Sequence, residues 1–333
     1  MVGNDVPRQL VLAGGALPVR LTGSWTPGEP SGASDLGAVD FSVTAAYDAL
    51  RRGDHDDLSA VIVCNDSQAH LRLFYLLRAR AVGATIQLLD LPREDSAEAR
   101  RFARHQFQAL LRLCEDIGGR ALTPYALAEV GEDLQQLEAA VERMRARRVE
   151  GSCSGSEALA GYRDATSLPP RSAIARIDAR GGGAPGWVRV HATGSSHPDG
   201  TVYRILQERG VEVVSDDHDT GDRTLLGPAV AEGDVETVLD AVVTAHFERV
   251  GGSAVELAQV RAQLTADLAA TAGVAAAVGI VRDVDEAPLW DLQDQRDELS
   301  RSGIPFHVLT HLQPHTLVER VHRLADEILE AAQ

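Results

Sequence analysis

The sequence contains no lysine, and all 32 of its basic residues are arginine. Enzymes that form a Schiff base on a lysine amine, including pyridoxal phosphate enzymes and lysine-dependent aldolases, are therefore excluded. A P-loop is excluded for the same reason, because its lysine contacts the bound phosphates. No GxGxxG turn follows a predicted strand, so the sequence does not predict a dinucleotide site either.

Cysteine is also scarce, with only Cys64, Cys114 and Cys153 in 333 residues. They are scattered and form no CxxC pair, so neither a zinc ribbon nor a redox pair is predicted. Cys114 lies on the apolar face of a predicted helix, and we interpret it as an inert core residue. A disulfide framework is not expected in a reducing compartment.

Long apolar runs and an excess of positive charge are missing as well. No apolar run reaches the roughly 18 residues that span a bilayer, and the first residues lack the pattern of a signal peptide. We therefore expect no membrane contact and a cytoplasmic location. The net charge of −17 argues against a nucleic-acid partner, because phosphate contacts need a basic face.

What the chain does contain is an alternation of short β-branched runs with amphipathic segments. The runs at 60–64, 85–89, 188–192, 211–214, 274–281 and 304–309 predict strands. Strands alternating with helices predict an α/β fold with parallel sheets. We expect two Rossmann-like lobes, each a parallel sheet flanked by helices, with a helical segment between them.

Composition gives the predicted boundaries of these lobes. Residues 167–186 contain two adjacent prolines and three adjacent glycines, which is typical of a linker. We assign 1–166 to an N-terminal lobe with a helical extension and 187–333 to a C-terminal lobe. Ligands of such sheets bind beyond the carboxyl ends of the strands. This rule directs attention to the loops at 13–23, 64–70, 90–95, 193–198, 215–224 and 281–288.

These loops carry a resemblance to a known family. In the first half of the chain the matching segments include the loops AGGALPVRLTG and LDLPRED, and in the second half they include TGSSHPDG and SDDHDTGDR. Together the matching segments cover 13–23, 64–77, 88–127, 190–223 and 303–328. In their order and spacing they resemble the D-component subunits of the 2-hydroxyacyl-CoA dehydratase / benzoyl-CoA reductase family. The resemblance likens the segment at 13–23 to the family's first strand and turn.

In that family, cysteines hold a [4Fe–4S] cluster between the two lobes, because soft thiolates suit iron. The resemblance places other residues where those cysteines are expected; they are Asn65, Asp219, the segment Asp40-Phe41-Ser42, and the loop with Arg282, Asp283 and Asp285. Cys64 is one residue out of register, and one step along a strand reverses the direction of a side chain. We therefore expect no iron–sulfur cluster and no other cofactor.

Three interpretations of the cleft remain open. The chain could be a cluster-free subunit that works with a homologous partner. A divalent metal such as zinc, manganese or magnesium could replace the cluster, on ligands drawn from Asp40, Asp66, His218, Asp219 and Asp283, although we assign no residue as a metal ligand. Alternatively, a histidine of the second lobe could act as a general base; the candidates are His191, His197 and His218, with Asp216 and Asp217 beside the last.

The predicted site follows from these alternatives. We expect catalytic roles for His218, Asp219, Asp66 and Ser67. Arginines in the same loops could meet a phosphate or carboxylate, and the residues predicted to contact a ligand are Asn65, Arg93, Ser195 and Arg223. The ordinary alternatives are a solvated polar loop for His218, a plain turn for the loop with Ser195 and a structural salt bridge for Arg93.

The resemblance implies a dehydratase-family subunit acting in acyl-CoA-type hydration or dehydration. Its expected partners are a homologous subunit in a heterodimer, or a second copy in a homodimer, and a small acyl substrate. The alternative function is a stand-alone redox-neutral lyase or hydrolase that uses acid–base chemistry or a divalent metal in the cleft.

Overall fold

A computed structural model describes residues 1–25, 36–37, 39–80, 83–183, 187–249 and 257–332. The first part of this chain contains α1 (Arg8–Ala13), α2 (Phe41–Arg52), β1 (Ala60–Cys64), α3 (Gln68–Ala79), β2 (Thr85–Leu89) and α4 (Ala97–Gly118). Three consecutive helices follow: α5 (Pro124–Glu150), α6 (Gly155–Ser167) and α7 (Pro170–Asp178). The last part contains β3 (Val188–Gly194), α8 (Thr201–Gln207), β4 (Val211–Asp216), α9 (Val235–Glu248), α10 (Ala258–Ala272), β5 (Ala276–Arg282), α11 (Ala287–Arg301), β6 (Phe306–Leu312) and α12 (Leu317–Ala331).

The strands form two separate parallel sheets. The first pairs β1 with β2, from Ala60 opposite Thr85 to Cys64 opposite Leu89, and Val2 adds a single parallel bridge beside β1. The second has the order β4-β3-β5-β6, with every neighbouring pair parallel. The prediction of an α/β fold with two Rossmann-like parallel sheets flanked by helices is confirmed.

Side-chain caps explain why the helices begin where they do. The side chains of Ser67, Ser96, Thr123 and Ser154 each accept a hydrogen bond from the backbone N–H three residues further on. Such caps satisfy N–H groups that have no partner inside the helix. At α5 the cap is followed by Pro124, whose missing N–H costs nothing in the first turn.

Helices α5, α6 and α7 share a hydrophobic core with the second sheet. Leu137 and Met144 of α5 and Leu159 of α6 belong to the same buried cluster as Val190 and Ile280 of the sheet. Within the stretch expected to be a linker, residues 170–178 form α7, and 184–186 lie outside the described residues. The lobe limits 1–166 and 187–333 stay a prediction.

The segment at 13–23 contains no strand, so the strand that the resemblance implied there is wrong: Ala13 ends α1, and 14–23 form a turn and coil. Helix α1, which also contains the apolar segment at 9–13, contacts α4 and α5. A Cβ at Gly118 would lie 2.0 Å from the carbonyl oxygen of Gly14, so the end of α4 can approach α1 only because glycine is present. A short apolar run does not by itself distinguish a buried strand from a buried helix. None of the described helices is long and apolar enough to cross a bilayer.

Candidate functional site

A cavity of about 520 Å³ lies at the carboxyl ends of the strands, where loops from both sheets meet. Its walls come from the loops after β1, β3, β4 and β5, together with the start of α2 and the N-terminal segments 2–5 and 20–22. This is where ligands of parallel α/β sheets bind.

On the first-sheet side, Asp66 and His70 form a close pair. The Asp66 carboxylate accepts the backbone N–H of Asn4 at 2.9 Å and a hydrogen bond from Nδ1 of His70. A Cβ at Gly3 would lie 2.5 Å from Asp66 Oδ2, and Gly3 has a φ of +95°, so only glycine suits this approach. Ser67 caps α3 and accepts the N–H of His70 at 3.1 Å.

The environment of His70 favours its protonated form. Burial alone would lower its pKa, but the carboxylate of Asp66 outweighs burial, and the pKa is raised above the usual 6.5. Because Nδ1 is held by Asp66, Nε2 is the ring nitrogen left for a ligand in the cavity, which His70 lines. Sequence reasoning missed this residue; the available signal was its position four residues after Asp66, at the start of a helix.

On the second-sheet side, Asp219 is paired with Arg20. The Nη2 of Arg20 lies 2.6 Å from Asp219 Oδ2, while its Nη1 donates to Asn4 Oδ1 at 3.1 Å. Ser196 also donates to the Asp219 carboxylate. Burial would raise the pKa of Asp219, but Arg20 and the Ser196 hydroxyl lower it below its usual value. Through Asn4, this pair is connected to Asp66 on the opposite wall.

A second buried ion pair joins the start of α2 to the end of β5. Arg282 approaches Asp40 with two nitrogens, at 2.9 Å from Nε and 2.5 Å from Nη2. Burial would raise the pKa of Asp40, but this bidentate contact lowers it. Arg282 also lies 3.3 Å from Asp285, which accepts the Ser195 hydroxyl at 2.6 Å. Burial raises the pKa of Asp285.

His218 lines the cavity, but both of its ring nitrogens are engaged. Nε2 lies 2.8 Å from the Tyr203 hydroxyl, and Nδ1 lies 3.0 Å from Oγ1 of Thr220. Asp216 lies 3.7 Å from Nε2, but its carboxylate is bound at 2.8 Å by the buried Arg148. The other neighbouring acid, Asp217, is turned toward Thr265 and His191. This histidine is therefore held in a hydrogen-bonded network.

The predicted site residues divide into two groups. The cavity is lined by all four residues predicted to be catalytic and by one predicted ligand contact; these are His218, Asp219, Asp66, Ser67 and Ser195. Asn65, Arg93 and Arg223 do not line it. Asn65 instead ties the ends of β1 and β2 together, accepting the N–H of Leu91 at 3.1 Å. Arg93 pairs with the buried Asp5 at 2.7 Å. The roles predicted for all eight residues stay predictions.

The acids considered as metal ligands are engaged separately. Asp40 and Asp219 face arginines and Asp66 faces His70, whereas Asp283 lies outside the cavity and accepts from Gln313 at 2.7 Å. In the described part of the chain, no three histidine, cysteine or acidic side chains are grouped so that they could hold a metal ion. All three cysteines are described; each is buried and free, and none lines the cavity. Burial raises the pKa of Cys64 well above its usual value.

The comparison with known proteins agrees with the motifs in the loops. No curated protein is similar enough to this chain to count as a match. A family model described as 2-hydroxyglutaryl-CoA dehydratase, D-component, matches residues 4–314, which include both sheets and all of the cavity lining except Val2 and Gly3. The chain therefore belongs to the 2-hydroxyglutaryl-CoA dehydratase D-component family.

Proposed function

We propose that this chain is a cluster-free subunit of a 2-hydroxyacyl-CoA dehydratase-type system, acting beside a homologous subunit that carries the redox centre. The observation that carries the proposal is the pair of salt bridges at the cavity. Asp40 and Asp219 stand where the family resemblance expects cysteines, and they are neutralised by Arg282 and Arg20.

The residues at this site do not fit an iron–sulfur cluster. A cluster of this type needs thiolate ligands, usually four, and the cavity walls provide carboxylates, hydroxyls and guanidinium groups instead. Carboxylates suit hard cations, but those of Asp40 and Asp219 already face arginines. Cys64 is fully buried and does not line the cavity, which supports the proposal because its thiol is not placed to bind iron there.

The partner role predicts a stable complex with a cysteine-bearing member of the family. Co-expression of the chain with such a subunit, followed by native mass spectrometry, tests this role. We expect a one-to-one heterodimer in which the iron is carried by the partner. A chain that stays monomeric, or that pairs only with itself when the partner is present, would contradict the partner role.

A second candidate function is redox-neutral elimination or hydrolysis in the same cavity. The observation that favours it is the Asp66–His70 pair, in which an imidazole with a raised pKa lines the cavity. Such a group can donate a proton to a departing oxygen. Without a one-electron donor, elimination requires an acidic C–H bond next to the thioester carbonyl, so the departing hydroxyl must be on the next carbon. The proton of that C–H bond passes to a carboxylate of the cavity, for which Asp285, whose pKa is raised by burial, is the candidate, and the hydroxyl leaves as water with the proton from His70.

This second function predicts dehydration of 3-hydroxyacyl thioesters without any reductant. The assay follows formation of the conjugated enoyl thioester by its absorbance, for the wild type and for His70→Gln. We expect the variant to lose activity by about 10²-fold or more, whereas His105→Gln, an exposed histidine on α4, should retain it. No turnover by the wild type, or equal activity in both variants, would exclude His70 as the proton donor.

A further inference from the structure

A second cavity of about 310 Å³ adjoins the first. Arg20, Thr22 and Thr220 line both cavities and therefore form the wall between them. Most of the remaining wall of the second cavity comes from α6, which supplies Arg163, and from the loop before α8 and the first turn of α8, which supplies Arg204.

The charge of this cavity differs from that of the chain as a whole. Three arginines line it, and one of them, Arg20, is paired with Asp219. Within the described residues the other two, Arg163 and Arg204, are not paired with a carboxylate; Nη2 of Arg204 donates to the neutral hydroxyl of Thr201 at 2.9 Å. The two acids of the lining are engaged, since Glu157 pairs with Arg180 at 2.7 Å and Asp199 accepts a backbone N–H at 2.8 Å. A chain with a net charge of −17 thus presents at one cavity two guanidinium groups that have no carboxylate partner among the described residues, against one carboxylate, that of Asp199, without a cationic partner there.

A buried histidine in the same lining has no partner. His197 is 1% exposed, and within the described part of the chain neither of its ring nitrogens makes a hydrogen bond. Burial, together with nearby His218 and Arg282, holds its pKa well below the usual value, so the ring is neutral and offers one donor and one acceptor. Buried polar groups are nearly always satisfied, so this ring indicates that a polar ligand group or water belongs in the cavity.

The surroundings of His197 fix its position. Its backbone N–H donates to Oγ1 of Thr220 at 3.0 Å, and its ring packs 5.0 Å from Tyr203 and 6.0 Å from Trp25, measured between centroids. The ring is therefore held in place before any ligand arrives, which lowers the entropic cost of binding.

We propose that this second cavity is a binding site for a small phosphate-type dianion, held by Arg163 and Arg204 and hydrogen-bonded to His197. Guanidinium groups bind phosphate and carboxylate oxygens through paired hydrogen bonds, and the neutral imidazole supplies a donor at the buried end. The site is separate from the cavity of the proposed function and does not depend on it.

Isothermal titration of the full chain with inorganic phosphate at fixed ionic strength tests the site. We expect saturable one-to-one binding, accompanied by a change in tryptophan fluorescence because Trp25 stacks near His197. Arg163→Gln and Arg204→Gln should each weaken phosphate about tenfold or more, as expected for a lost charge-assisted hydrogen bond. The matched control is Arg101→Gln, an exposed arginine of α4 that pairs with Glu98, and it should bind like the wild type.

A parallel titration with succinate separates the two sources of dianionic charge. Tighter binding of phosphate supports the proposal as stated, and tighter binding of succinate would overturn the phosphate assignment. The site itself is overturned if the wild type shows no saturable binding of phosphate. It is also overturned if the three arginine variants lose affinity equally, since that would reflect only the overall charge. Circular dichroism and thermal melts establish that each variant is folded.

Discussion

Replacing Arg282 with methionine tests whether the ion pair between Arg282 and Asp40 affects the free energy of unfolding as a buried ion pair does. Arg282 and Asp40 are 5% and 6% exposed, and the arginine contacts the carboxylate with two nitrogens. Removing one partner leaves Asp40 charged and buried, and among the described residues its carboxylate then keeps only the hydrogen bonds of Ser42. We expect the free energy of unfolding to fall by about 3–5 kcal/mol.

The pH dependence of this loss identifies its cause. In the wild type, Arg282 keeps the pKa of Asp40 low. In the variant, burial raises that pKa above its unfolded value, so protonation favours the folded state as the pH falls. The difference in stability between wild type and variant should therefore shrink from pH 7 to pH 5. In Asp40→Asn/Arg282→Met, which removes both charges, most of the stability should return.

Urea unfolding followed by circular dichroism provides the measurement. Arg101→Met, at an ion pair whose side chains are 68% and 76% exposed, is the control and should cost about 0–1 kcal/mol. If Arg282→Met lowers the free energy of unfolding no more than this control, or if its effect does not change with pH, the pair behaves like a surface ion pair and the prediction for a buried pair is wrong.

Three further predictions concern residues around the cavity. Asp5 is held between Arg93 and Arg249, which lower its pKa to about 2. Its contribution to the free energy of unfolding, roughly 2 kcal/mol, is present above about pH 4 and is lost as the pH falls toward 2. Asp5→Asn should therefore cost stability at pH 7 but little at pH 2 in acid-unfolding curves. Burial raises the pKa of Asp291 to about 6, so this carboxylate opposes folding increasingly from about pH 4 to pH 6. Relative to wild type, Asp291→Asn should gain little stability at pH 4 and roughly 1–3 kcal/mol above pH 6 in urea titrations. Asn65→Ala should lower stability by about 1–3 kcal/mol in the same titrations without changing ligand binding in the cavity, and a selective loss of binding would contradict its placement outside the walls.

The strands were predictable because their residues carry the signal locally. The runs at 60–64 and 85–89 are short, β-branched and bounded by polar residues, and both form strands with these limits. The segment at 9–13 is equally short and apolar but becomes part of α1, because its packing against α4 and α5 decides its conformation. Local pattern cannot report such tertiary packing.

The positions of the candidate site loops were predictable, but their electrostatic partners were not. Parallel topology places the loop with Asp66 and the loop with Asp219 at strand ends, and both line the cavity. The pairing of Arg20 with Asp219 joins residues 199 positions apart, and that of Asp40 with Arg282 spans 242. No local periodicity connects residues at such separations, so these ion pairs emerge only from the folded structure.

Anaerobic reconstitution is a direct test of our proposal that this site does not hold an iron–sulfur cluster. The purified chain is incubated with ferrous iron and sulfide under strictly reducing conditions and desalted. Its iron and sulfide contents and its visible spectrum are then measured beside those of a cysteine-bearing family member. We predict a colourless protein with iron near zero per chain. A brown protein that retains about four irons and four sulfides per chain would contradict it.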